Sequence, residues 1–307
     1  MVRALLILSA LSLSGCDPGP DQWVDLLGEN AFAGDISKDG RIIVMGGSKQ
    51  GVRLFVDGRE THTLHKNDGV VAIEDAALSP NATRIATASG NQYAVFSVES
   101  GRKLKTGSAP ALIKSIAVDN QGSVLLGTLA GAYWLTGNDN LQLSPQAPRA
   151  VALDGRRGVI GNDQGQVSLW WLGDRRPVRQ WQMGGPVESV ALEGDQLAAA
   201  TRDQPTRLMS LGGQATDAEL PQESSYYPTP VGVVSIRITR DGVWTGNNLK
   251  RAAFWSYQDL SQPAQIWRMP VRGGANPGSA RILGFSRDEK KPVAIVATGH
   301  RVELVRD

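Results

Sequence analysis

The chain has 307 residues, with 32 Lys and Arg against 30 Asp and Glu, 41% hydrophobic residues, 35 glycines, 16 prolines and one cysteine. A formal net charge of +2 gives no basic footprint for a nucleic-acid partner. A lone cysteine excludes an internal disulfide, so stability must come from packing, and the Gly and Pro content points to many turns in one large β domain or two ordinary ones.

The N-terminus reads MVRALLILSALSLSGC: Arg3, an apolar run from Ala4 to Leu13 relieved by Ser9 and Ser12, then Ser14-Gly15 before Cys16. This is the charged, apolar and small-residue order of a secretory leader. The run is short of the roughly 20 residues a spanning helix needs. Leu13-Ser14-Gly15-Cys16 resembles the bacterial lipobox. The resemblance implies cleavage before Cys16, with acyl chains on its thiol and on the new amino group. Two or more chains give stable anchoring without a span, each buried CH₂ contributing about 0.8 kcal/mol. Residues 1 to 15 are thus the signal peptide, and the net charge falls by one when Arg3 leaves with it.

Residues 16 to 22 form the lipidated tether, held extended by Pro18 and Pro20. Asp17 resembles the residue that retains enteric lipoproteins in the inner membrane. The implied location is the bacterial cell envelope, on the periplasmic face of the inner membrane rather than the outer.

From there on the sequence repeats. VMGGSKQGVRLFVDG, ATASGNQYAVFSVESG, LGTLAGAYWLTGND, IGNDQGQVSLWWLGD, AAATRDQPTRLMSLGG, WTGNNLKRAAFWSYQD and VATGHRVELVRD each join small residues, a polar turn and an apolar strand. The anchors Phe55, Phe96, Trp134, Trp170, Met209, Trp255 and Val305 stand near the ~40-residue period of four-stranded propeller blades. Upstream of each anchor lies a second strand–turn–strand piece, such as GDISKDGRIIV or AALSPNATRIA, so each unit holds two hairpins. The third strand of each unit reads as the most apolar.

Leu78-Ser79-Pro80-Asn81 and Gly165-Gln166-Val167-Ser168-Leu169-Trp170 resemble the turn and strand segments of WD-repeat (WD40-like) propellers. The resemblance covers residues 31 to 307. No unit carries the family's Gly-His pair or a Trp-Asp ending, so its Asp-His-Ser-Trp tetrad is expected to be missing. The expected fold is all-β, a seven-bladed β-propeller over residues 23 to 307 with four-stranded antiparallel blades. Trp23-Val24-Asp25-Leu26-Leu27 supplies the strand that the last unit lacks and closes the ring.

Chemistry is sparse. His62 and His65 lie in a predicted outer strand and turn, on opposite faces, and read as a solvated edge; His300 stands alone beside the last strand. Gly122, Gly131, Gly155, Gly158, Gly161 and Gly165 read as hairpin turns rather than a phosphate cradle, since no helix follows. There is no Gly-x-Ser-x-Gly elbow, Walker loop or zinc-type Cys spacing. The sequence therefore assigns no catalytic residue, no metal ligand and no cofactor. Trp170 and Trp171 both read as core residues, because adjacent blades cover both faces of an inner strand.

Two features suggest contact with a partner. Arg156, Arg157, Arg175, Arg176 and Arg179 cluster in the turns of the fourth unit, where scattered Asp residues favour a solvated rim over an acidic partner or lipid headgroups and Arg175 and Arg176 are the candidates for contact; the interval 210 to 234 carries Tyr226-Tyr227 in a Gly-, Pro- and Ser-rich stretch that reads equally as a partner contact or a permissive insertion. The expectation is a non-enzymatic interaction scaffold, an accessory subunit of an envelope complex. Its partners would be membrane lipid, through acylated Cys16, and an envelope protein. Two alternatives stand beside it: a propeller enzyme of the lactonase or quinoprotein type, with acidic residues or His at the channel mouth, and a factor of outer-membrane protein assembly.

Overall fold

A computed structural model describes residues 20, 22–47, 51–66, 72–137, 139–174, 176–202, 204–212, 217–222, 231–248, 250–270, 282–287 and 291–304. Every named element in them is a β-strand, and the strands form seven four-stranded antiparallel sheets. Blade 1 is β2 (Ala31–Ile36), β3 (Ile42–Gly47), β4 (Val52–Val56) and β5 (Arg59–Leu64). Blade 2 follows with β6 (Asp75–Leu78), β7 (Arg84–Ser89), β8 (Gln92–Ser97) and β9 (Lys103–Ser108), and blade 3 with β10 (Ile113–Val118), β11 (Val124–Thr128), β12 (Gly131–Thr136) and β13 (Asp139–Ser144). Blade 4 holds β14 (Pro148–Asp154), β15 (Arg157–Asn162), β16 (Gln166–Trp171) and β17 (Pro177–Gln182). Blade 5 holds β18 (Val187–Glu193), β19 (Gln196–Thr201), β20 (Thr206–Ser210) and β21 (Ala218–Leu220). Blade 6 is β22 (Val233–Ile238), β23 (Gly242–Asn247), β24 (Arg251–Ser256) and β25 (Gln265–Arg268). Blade 7 is β26 (Ile282–Phe285), β27 (Val293–Val296), β28 (His300–Glu303) and β1 (Gln22–Asp25), the one strand taken from the N-terminal side.

The predicted closure is present. β1 pairs antiparallel with β28, Trp23 opposite Val302 and Asp25 opposite His300. The Leu26 and Leu27 amides then both donate to the Gly299 carbonyl. The last third strand is His300–Glu303, two residues earlier than the sequence suggests, and Val305 lies outside the described residues.

In blades 1 to 3 short polar side chains fix the first hairpin. In blade 2 the Ser79 hydroxyl accepts the Arg84 amide at 3.0 Å and Asn81 Oδ1 accepts the Thr83 amide at 3.1 Å. Blade 1 repeats this with Ser37 and Asp39, and blade 3 with Asp119. These groups take up amides that the strand ladder leaves unpaired. Gly122, Gly131, Gly155 and Gly165 stand at positive φ in turns or at a strand start, as the sequence suggests. Gly158 and Gly161 do not; they lie inside β15, where a Cβ on Gly161 would collide with Val187 of blade 5. Their role is close approach between blades.

The core is the set of seams between blades. The anchors Phe55, Phe96, Trp134, Trp170, Met209 and Trp255 are all buried. The second strand of each blade is buried more completely than the third, contrary to the sequence reading. β11 and β23 are buried at every position, because a second strand has neighbours on both edges and blades on both faces.

The first strands line a central channel of about 390 Å³. One register level of this wall carries Ala77, Ala117, Ala152 and Ala191 in blades 2 to 5, with Arg237, Gly284 and Asp35 at the same level in blades 6, 7 and 1. Arg237 reaches past side-chain-free Gly284, donates from Nε to the Phe285 carbonyl at 2.9 Å and meets Asp35 Oδ1 at 3.1 Å. The other Asp35 oxygen accepts the Leu78 amide of blade 2 at 2.9 Å. One ion pair thus ties four consecutive blades across the ring closure. Arg237→Met leaves Asp35 half-buried without its cation and is expected to cost about 1–3 kcal/mol in chemical denaturation. The Asp35→Asn/Arg237→Met double variant should lose less than the sum of the single changes, with a coupling of about 0.5–3 kcal/mol.

Candidate functional site

Two places on the ring hold the side chains that chemistry or binding requires: the channel mouths and an open flank on blade 4. At the mouth where the first strands begin, Glu188 meets Arg149 at 2.7 Å and Arg202 at 3.1 Å, and Arg149 also contacts Asp163. The Asp163 and Glu188 carboxylates raise the Arg149 pKa, Asp163 the more strongly. Glu74 and Lys114 occupy the equivalent positions in blades 2 and 3. In blades 2 to 5 this mouth thus carries Glu, Lys, Arg and Glu in turn, with Glu188 held between two guanidinium groups, whereas Phe32, Val234 and Leu283 take the same position in blades 1, 6 and 7.

At the opposite mouth, Glu193 of blade 5 crosses to Arg287 of blade 7 and to Lys38 of blade 1, the latter at 3.4 Å. The Arg287 amide in turn donates to the Lys38 carbonyl at 2.7 Å. Burial, and secondarily the nearby Arg237 guanidinium, lower the Arg287 pKa from its ordinary value. The arrangement clamps this end of the channel. Among the described residues no group of three His, Cys, Asp or Glu side chains could hold a metal ion.

The histidines stay apart. His62 on β5 contacts the Glu99 carbonyl at 3.2 Å through Nε2. His65 is not a solvated edge: its Nε2 lies 2.7 Å from Thr87 Oγ1 and its ring meets Phe96 edge-on, inside the seam between blades 1 and 2. His300 is buried, with Nδ1 2.7 Å from Thr298 Oγ1 and Trp23 packed T-shaped against it at 4.8 Å.

The blade 4 flank corrects the reading of the tryptophan pair. Trp170 is buried, donating from Nε1 to Ser168 Oγ at 2.9 Å, but Trp171 is 48% exposed. Alternation along β16 puts Trp171 on the face shared with Val167 and Leu169, toward blade 5. There β21 spans only three residues and pairs with Thr206–Leu208, so the end of β20 at Met209 and Ser210 has no outer strand beside it among the described residues. The two-sided cover that the sequence reading assumed holds for Trp170 and not for Trp171. The long interval 210 to 234 is in part this outer strand.

Around Trp171 stand exposed Arg156, Arg176 and Val178, with Arg157 directly opposite in register. Arg157 is held by Asp154 at 2.9 Å and Asp195 at 3.4 Å. Arg179 donates to the Ser210 carbonyl at 2.9 Å and lies over the Trp181 ring at 4.9 Å. The structure thus brings Arg176 to an exposed tryptophan. Arg175, Tyr226 and Tyr227, like Cys16 and Asp17, lie outside the described residues.

Two buried indoles bond hydroxyls: Trp255 Nε1 donates to Thr245 Oγ1 of the neighbouring strand at 2.8 Å, and Trp170 Nε1 to Ser168 of its own strand. Together, seven four-stranded blades closed by an N-terminal strand define a WD40-like seven-bladed β-propeller. No family model matches the chain. No curated protein matches it either. Among solved structures it is similar to the Cps50 (Swd1) beta-propeller domain of Myceliophteria thermophila, with a TM-score of 0.72 and 10% identity over 93% of this chain and 100% of that one. At that identity the likeness carries the fold alone.

Exposure separates the two tryptophans by experiment. Trp170→Ala is expected to cost about 3–5 kcal/mol in chemical denaturation. Trp171→Ala should stay within about 0.5 kcal/mol, while Trp171→Phe removes much of the emission that acrylamide quenches.

Proposed function

We propose that this chain is a lipid-anchored, periplasm-facing propeller that acts as an interaction scaffold, an accessory subunit of an envelope complex, rather than an enzyme. The anchor reading rests on Leu13-Ser14-Gly15-Cys16 behind the apolar leader, with Asp17 favouring the inner membrane. The observation that carries the scaffold reading is the blade 4 flank, where Trp171 stands half-exposed between Arg156 and Arg176 on a rigid sheet. Trp and Arg are the residues in which binding energy most often concentrates, and a side chain already held by a strand loses little freedom on docking. In the channel Asp35, Glu188 and Glu193 are paired with cations of other blades, which supports a binding role over a catalytic one.

In vivo crosslinking of the full chain at native expression, followed by identification of what copurifies, tests this reading. A single envelope protein should be recovered, and Trp171→Asp or Arg176→Glu should reduce its recovery at least tenfold without changing the melting temperature. Cys16→Ser should release the protein from the membrane fraction. Recovery of only free monomer from the wild type would sink the scaffold reading.

A further inference from the structure

The proposed partner flank leaves unexplained the two most conspicuous apolar side chains on the other side of the ring. Trp23 and Val24, each 52% exposed, are adjacent on β1, the outermost strand of blade 7. All four residues of that strand are exposed, although it closes the whole ring. Neighbouring residues on a strand point to opposite faces, so β1 presents an apolar side chain on each side of its free edge. Trp23 lies on the His300 and Val302 side; Val24 lies on the side of Arg301, which is paired with Glu303 at 2.6 Å. Gln22, Trp23, Val24, Arg301 and Glu303 line a shallow hollow of about 310 Å³. A free strand edge with exposed apolar residues invites pairing with other chains and is normally blunted by charge or cover.

Chain length identifies the cover. Six residues lie between Cys16 and Trp23, so even fully extended the seven steps of tether reach no more than about 25 Å. In the anchored protein β1 is the part of the propeller nearest the acyl chains. Tryptophan at a membrane–water boundary places its ring among the headgroups, with its N–H still able to meet polar partners. We propose that β1 rests edge-on in the headgroup region of the bilayer, with Trp23 and Val24 against lipid. This rests on the lipid-anchor reading above. The bilayer covers the edge, and the closing strand becomes a second, weak membrane contact beside the acyl chains.

The test uses the full chain, expressed with its leader, purified in detergent and reconstituted into phosphatidylcholine–phosphatidylglycerol vesicles whose acyl chains carry bromine. The intact mass is measured first. Bromine should quench part of the tryptophan emission of the wild type, Trp23→Phe should abolish that component, and Trp171→Phe should leave it in place. Trp23→Phe keeps an aromatic edge against His300, and an unchanged melting curve verifies the fold. Acylated, vesicle-bound protein whose quenching does not depend on Trp23 overturns this inference and leaves the anchor intact. Absence of acyl mass on Cys16 overturns the anchor reading, and this inference with it. Shielding of Trp23 that grows with protein density at fixed lipid would assign the edge to a second copy and also overturn it.

Discussion

One ion pair in the bore spans the blade at which the ring is closed. A propeller with one strand supplied from the other end of the chain is weakest at that blade, where the N-terminal strand holds on through four residues whose side chains face solvent. The Arg237–Asp35 pair sits at that weakness. It spans blade 7 from blade 6 to blade 1, and its second oxygen continues into blade 2 through the Leu78 amide. Gly284 makes the crossing feasible: a Cβ there would already stand 3.7 Å from Asp35 Oδ1, so a longer side chain would enter the space the pair occupies. Similar links follow around the wall, with Asp75 Oδ2 accepting the Ile116 amide at 2.8 Å and Ser115 Oγ accepting the Val151 amide at 3.2 Å. A first strand has no ladder partner on its channel edge, and these side chains satisfy its donors from the neighbouring blade.

The same commitment of polar groups extends to the two mouths of the channel. Glu193 is engaged by Lys38 and Arg287, Glu188 by Arg149 and Arg202, and Asp35 by Arg237. Each carboxylate faces at least one guanidinium or ammonium from another blade, the arrangement expected of groups that hold a ring together. Tyr257 shows the same use of a titratable side chain: its hydroxyl bonds Gln196 of blade 5, and burial pushes its pKa up to about 12. It stays neutral throughout the physiological range and acts as a tie between blades 5 and 6.

The architecture was legible in the sequence because each blade repeats its own physical problem. Small residues, polar turn and apolar strand recur wherever a second and third strand must pack between neighbours, and the missing last strand pointed directly to Trp23–Leu27. The channel wall was less legible, although its signal was there. Ala77, Ala117, Ala152 and Ala191 repeat inside apolar triplets, and Arg237 in Ile-Arg-Ile and Asp35 in Gly-Asp-Ile break that pattern at the same register. A charge between two apolar strand residues has no reason to be there unless a partner awaits it. Two such charges 202 residues apart become a pair only when the ring is closed. Trp171 differs for another reason: it is the last residue of β16, where the repeat pattern reads the same for both tryptophans although only Trp170 is buried.

The open places on the surface acquire meaning from their positions in the ring. Blade 7 carries β1, and blade 4 lies three blades away in one direction and four in the other, so the two stand on opposite sides of the propeller. If the edge of β1 faces lipid as proposed, the flank with Trp171 faces away from it. The closure that joins the two ends of the chain also fixes the direction in which the blade 4 flank points, because Trp171 is carried on a strand paired on both sides and turns only with its blade.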